Sequence, residues 1–130
     1  MRRVLLTAIV LLSIAVPTFA HHGTNISYDR SKMMTVKGVV TEFHYANPHP
    51  QLYVDVKDTQ GKVTNWGCEI AANVYQLSLA GWSKQRSTTE LKAGTAVTVT
   101  IAPSRAGTPA ALLIKVVNDK GQELLNAGAE

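Results

Sequence analysis

From Gln51 to Lys57 the sequence alternates residue by residue, with Leu52, Val54 and Val56 on one side and Tyr53, Asp55 and Lys57 on the other. A period of two sends the two sets to opposite faces of a strand, one toward a core and one toward water. Similar stretches recur along the chain. Met33 to Tyr45 is rich in Val and Thr and reads as a long first strand. Its alternation slips around Gly38-Val39-Val40, which predicts a bulge or bend at Gly38. Lys62 to Ile70 reads as a third strand, with Thr64, Trp66, Cys68 and Ile70 facing one way and Val63, Asn65 and Glu69 the other. On this parity Trp66 fills the core. Thr95 to Ala102 and Ala110 to Asn118 are the fourth and fifth strands.

The connections carry turn chemistry at Asn47-Pro48-His49-Pro50, Asp58-Thr59-Gln60-Gly61, Ser104 to Pro109 and Asn118-Asp119-Lys120-Gly121. Only between strands three and four does the period change. There Val74, Tyr75, Leu77 and Leu79 suit a short helix stopped by Gly81. Trp82 to Ala93 reads as a polar connector, and the tail is expected to fray after Leu125. Three strands, a helix and two strands predict an all-β fold, a small five-stranded OB-like Greek-key barrel with one short helix between strands 3 and 4. An antiparallel sandwich or half-open barrel built from the same elements is the alternative.

Ahead of the first strand, Arg2 and Arg3 precede a 13-residue run from Val4 to Val16 that is apolar except for Thr7 and Ser13. Pro17 ends the run, and Thr18-Phe19-Ala20 places small residues three positions and one position before His21. This is the layout of a cleavable secretory signal, and the run is short of the ~20 residues of a spanning helix. The expected organisation is a signal peptide over 1–20, an extended N-terminal arm over 21–32, a barrel over 33–125 and a frayed tail over 126–130. Export predicts a periplasmic or secreted protein with no stable membrane anchor after cleavage. Loss of Arg2 and Arg3 takes the 13 basic residues to 11 against 9 acidic ones, a net charge of +2. The remaining charges form no basic run, which disfavours nucleic acid as a partner. A single cysteine excludes an intramolecular disulfide and a Cys-rich zinc site.

Several short motifs give the chain a family likeness. They are His21-His22 directly after the signal, Asn47-Pro48-His49, Tyr53-Val54-Asp55-Val56, Asn65-Trp66, Gly81-Trp82 and Leu91-Lys92-Ala93-Gly94. On these the chain resembles a bacterial family of small exported proteins known only as a domain of unknown function. Two departures stand out: Gly23 follows His22 where the family more often has Ser, and Cys68 stands where a small aliphatic residue is usual. The resemblance implies the compartment and the barrel, and it implies no catalytic residues.

Chemistry is concentrated in the histidines. All four, His21, His22, His44 and His49, fall within 29 residues of the expected cleavage point. Cleavage after Ala20 makes His21 terminal, so one residue offers an α-amine and an imidazole. An α-amine has a pKa of about 8, so a metal can displace its proton at neutral pH. Amine and imidazole together form a chelate, and nitrogen ligands in a tetragonal arrangement favour Cu(II). A third nitrogen can come from His22, His44 or His49. His49 is the best placed, because Pro48 and Pro50 restrict its backbone. Met33 and Met34 are possible thioether ligands, though strand-one packing explains them more simply. Cys68 reads as a small buried apolar residue. Glu42, Asp55 and Glu69 share an outer face, with nothing to pair them as acid and base.

The expected function is therefore an exported binding module that takes copper through His21 with His22, His44 or His49. The alternative is a metal-free module for a peptide, a sugar or an envelope protein partner, using Asn47, Tyr53 and Trp82. With no nucleophile elbow, phosphate loop or triad pattern, an enzyme is not expected. Mass spectrometry of protein recovered from the cell envelope should show a chain starting at His21. A full-length mass would overturn both the export signal and a metal site built on the new terminus.

Overall fold

The computed structural model describes residues 24–128. The segment expected as a signal peptide over 1–20, His21, His22, Gly23 and the final two residues lie outside the described residues. After a short helix α1 (Thr24–Ser27) and a 3-10 turn (Arg30–Lys32) come β1 (Met34–His44), β2 (Gln51–Lys57) and β3 (Val63–Glu69). Two helices follow, α2 (Val74–Leu79) and α3 (Lys84–Glu90). Then come β4 (Ala96–Pro103), β5 (Ala110–Asn118) and β6 (Glu123–Asn126). The strands run in the order β3-β2-β1-β4-β5-β6, and a parallel β3–β5 pairing closes the first five into a barrel. This is the predicted OB-like closure with one strand added. No helix among the described residues is long and apolar enough to cross a membrane.

The alternation of β2 has the predicted outcome. Leu52 and Val54 are fully buried beside Val40, Cys68, Ile70, Val99, Ile101, Leu113 and Val116, which form the barrel core. Gly38 is the residue where β1 first pairs with both β2 and β4, through Val56 and Val97. A Cβ there would run into the Val54 side chain and come within 2.6 Å of the Asp55 carbonyl oxygen, so only glycine fits. The register irregularity itself lies further along, between Val40 and Glu42, and leaves Thr41 as the extra residue.

Four parts of the chain differ from the sequence reading. The arm expected to be extended instead turns through α1 and the 3-10 segment. The segment expected as a polar connector contains α3. Its N-terminus is capped by Ser83, whose hydroxyl accepts from the Arg86 N–H. Its buried face carries Ser87 rather than an apolar residue, with the hydroxyl bonded to the Ser83 carbonyl at 3.0 Å, so a hydrophobic pattern does not reveal it. Past Leu125, β6 continues to Asn126, and the N–H groups of Ala127 and Gly128 both donate to the Ile114 carbonyl. Trp82, expected among the ligand-binding residues of a metal-free module, is 1% exposed and packs in the core with Leu77 and Leu91. The Arg86 guanidinium covers its ring at 4.2 Å from the centroid.

The two helices seal one end of the barrel. The Tyr45 hydroxyl lies 3.0 Å from the Val74 carbonyl and 3.1 Å from that of Trp82, tying the end of β1 to both helices. Trp66 faces inward as its parity predicts, but it sits mid-strand opposite Val54, lines a cavity with Met34, Val36 and Val56, and is only partly buried. Trp82→Ala should therefore cost about 3–5 kcal/mol of stability, and Trp66→Ala clearly less. Urea midpoints of the two variants test this; equal losses would contradict the sealed and open ends.

Candidate functional site

The loop between β1 and β2 lies at the helix-sealed end. Its Asn47–Pro48 peptide is cis. Asn47 and Pro48 are exposed, whereas Pro50 is fully buried and its carbonyl accepts from the Ile70 N–H at 2.9 Å. That anchor holds His49 against the barrel rim. The His49 Nδ1 is enclosed and has no hydrogen-bond partner among the described residues. Its Nε2 points to Glu69, 3.8 Å from Oε1.

Glu69 ends β3 and connects three segments. It is paired with Gln51 of β2 and Leu112 of β5. While Oε1 faces His49, Oε2 accepts a 2.5 Å hydrogen bond from the Tyr28 hydroxyl. Tyr28 is buried on Ala102 and Leu112, and its backbone bridges to Ser104. On either side, the Asp29 N–H donates to the Pro103 carbonyl and the Arg105 N–H to the Ser27 carbonyl. Burial first, and then the bond to Glu69, raise the Tyr28 phenol well above its usual range, so it stays a protonated donor. Next to it, the Asp29 carboxyl is held below the ordinary range, chiefly by the Ser31 hydroxyl and with help from Arg105 and Lys32.

His44 belongs to an adjoining patch on the outer face. It is exposed with its Nε2 against the Glu42 carboxylate, and the ring of Tyr53 meets it edge-on at 5.6 Å. Tyr53 in turn donates to Gln51 Oε1 at 2.6 Å and lies over Gly67, where an added Cβ would stand 3.2 Å from the ring. Because Gln51 pairs with both His44 and Glu69, the two patches are neighbours across β2. Asp55, the third carboxylate of this face, accepts from the Asn65 side chain at 2.8 Å.

Of the residues singled out from the sequence, Tyr53 lies on the accessible outer face and Asn47 in the exposed loop, while Trp82 is inside. Met33 is exposed and Met34 packs against the core. No three His, Cys, Asp or Glu side chains among the described residues converge to hold a metal. The pair that does form, His49 with Glu69, includes a carboxylate read as part of a solvated face. Tyr28, 41 positions from Glu69, carried no signal in the sequence.

A small closed β-barrel thus carries a histidine–carboxylate pair at its sealed end, with an N-terminal arm bonded to the carboxylate. The chain belongs to a family of unknown function, DUF6152, whose model matches residues 8–113 and so takes in all four histidines, Tyr28 and Glu69. No curated protein and no solved structure matches the chain.

The single thiol is inert by position. Cys68 is fully buried, and burial moves its pKa from 9.0 up to about 12. A raised folded-state pKa means that its contribution to stability is complete below pH 9.0 and is lost as pH climbs toward about 12. A thiol-reactive disulfide reagent at pH 8 should leave the folded protein unlabelled and label it rapidly in denaturant. Fast labelling without denaturant would contradict the closed seam around Cys68.

Proposed function

We propose that the protein is an exported copper-binding module whose site joins His21 to His49 beside Glu69. The observation that carries this reading is the 2.5 Å bond from Tyr28 to Glu69, which fastens the arm next to the carboxylate facing His49. Five residues separate His22 from Tyr28, so the histidine pair is tethered within about 20 Å of that anchor. The 3.8 Å between His49 Nε2 and Glu69 Oε1 is too long for a hydrogen bond. It is close to the ~4 Å that separates two trans ligands each about 2 Å from one ion.

The His21 amine and imidazole supply a chelate, His49 a third nitrogen, and Glu69 an oxygen and a negative charge. Three nitrogens and one carboxylate favour Cu(II) over harder cations. His44 is left out, because its imidazole is already paired with Glu42.

Cu(II) titration of the chain starting at His21, followed by calorimetry and electron paramagnetic resonance, tests the site. A nitrogen-rich tetragonal signal is expected. An alanine placed before His21 breaks the amine–imidazole chelate, and His49→Ala removes the third nitrogen. Each should weaken binding by more than about tenfold, while His44→Ala should not. Tyr28→Phe removes the hydroxyl bond to Glu69 while keeping the ring packing and the backbone bonds of the arm, and should weaken binding without removing any ligand. Equal affinity in all these chains would make the histidine binding adventitious and leave the metal-free module as the reading.

A further inference from the structure

The other end of the barrel is built differently. Met34 to Lys37 pair only with β4, because the register between β1 and β2 begins at Gly38. The first half of β1 therefore has an unpartnered edge beside the end of β2 and the start of β3. Inward-facing positions mark the opening. Val40, Val54, Cys68 and Val99 are at most 1% exposed, whereas Met34, Val36, Val56 and Trp66 at the mouth are only partly buried. These four converge on a cavity of about 470 Å³. That lies within the range of small-molecule sites, about 300–1,000 Å³.

The rim adds a net positive charge. Lys37, Lys57 and Asp58 all border the cavity. The Asp58 carboxylate is committed to its own turn, accepting from the Gln60 and Lys62 N–H groups at 2.9 Å each. Neither Lys37 nor Lys57 makes an ion pair among the described residues. An apolar floor bordered by two lysines that make no ion pair among the described residues matches an amphipathic anion. A neutral apolar ligand would leave both charges unused, and a hydrophilic anion would leave the Trp66 floor in water.

We propose that the open end of the barrel binds a small amphipathic carboxylate, its chain on Trp66, Met34, Val36 and Val56 and its charge on Lys37 and Lys57. The site lies at the opposite ends of β1 and β2 from His49 and does not depend on copper. A lone carboxylate is enough for recognition, since two lysines act as point charges without the fixed fork that a phosphate or bidentate partner exploits.

Decanoate, kept below its micelle concentration and with a chelator present, is the probe, and tryptophan emission is the readout. One equivalent should bind saturably and shift the emission to the blue, and the shift should be lost in Trp66→Phe, which leaves Trp82 as the remaining indole. The double variant Lys37→Gln/Lys57→Gln should bind decanoate about tenfold more weakly, with its affinity for decanol and its urea midpoint unchanged. No saturable response at millimolar decanoate would overturn the site. An undiminished decanoate affinity in the double lysine variant, or an equal loss for decanol, would overturn the carboxylate as its ligand.

Discussion

Gly67, Cys68 and Glu69 lie against Ala110, Ala111 and Leu112 in parallel register, and this short seam turns a sheet into a barrel. Parallel pairing of distant segments needs close approach, and the seam is built from small residues. Gly67, Ala110 and Ala111 carry no side-chain atom beyond Cβ, and Cys68 and Ala111 are fully buried. A backbone bond from the Gly67 N–H to the Pro109 carbonyl at 3.0 Å starts it. The seam uses only the last three residues of β3. Val63 to Trp66 have no β5 partner and border a cavity shared with Gly107, Thr108 and Pro109. Further along β5, Lys115 to Val117 pair with β6, so the edge that β3 leaves is covered by the added strand. The short contact thus leaves the start of β3 without a β5 partner at one end, while the helix pair covers the other.

The shut end collects the polar groups. Glu69 is the last residue of the seam, and its carboxylate emerges where the Tyr28 arm crosses β4 and β5. The arm is not held by its helix, which is only four residues long. It is held by Tyr28 packing on Ala102 and Leu112 and by the backbone bonds around Ser27, Asp29 and Ser104. A phenol whose burial disfavours ionisation remains a donor across the whole neutral range, so it occupies one carboxylate oxygen without neutralising the other. What remains is an oxygen aimed at His49, on a strand end fixed by two neighbours. That is a better start for a cation site than the exposed Glu42–His44 pair, whose side chains are both more than half exposed.

Strand identity was legible wherever one face is apolar. The boundaries of β2 and β5 match the sequence reading residue for residue, because each alternates or runs apolar between clear turns. Legibility failed where burial is polar or short. Helix α3 buries Ser87, and β6 has four residues with Leu125 as its one buried side chain. The sequence reading puts Trp66 in the core and Trp82 on a ligand-binding surface, yet Trp82 plugs the sealed end while Trp66 lines the open one. Their difference is set by which end the helix pair covers, a property of topology and not of local pattern. The Tyr28–Glu69 bond was hidden for the same reason, since no spacing rule links an arm residue to a strand end 41 positions away. The histidines were visible as residues, but only folding separates His49, beside Glu69, from His44, already paired.

The seven residues of β2 run from one candidate site to the other. Gln51 borders the histidine–carboxylate end, and Val56 and Lys57 border the open mouth. At about 3.3 Å per residue the two ends are about 20 Å apart. The Debye length at physiological ionic strength is about 8 Å, so a charge gained at one end is largely screened at the other. Mechanical coupling is limited as well. Leu52 and Val54 fill the intervening strand and are fully buried in a close-packed core that cannot shift a small amount without losing contacts on every side. A cation bound beside Glu69 and an anion bound over Trp66 would therefore act on the same barrel independently. Only a change in the β3–β5 seam, which sets the shape of both ends, would couple them.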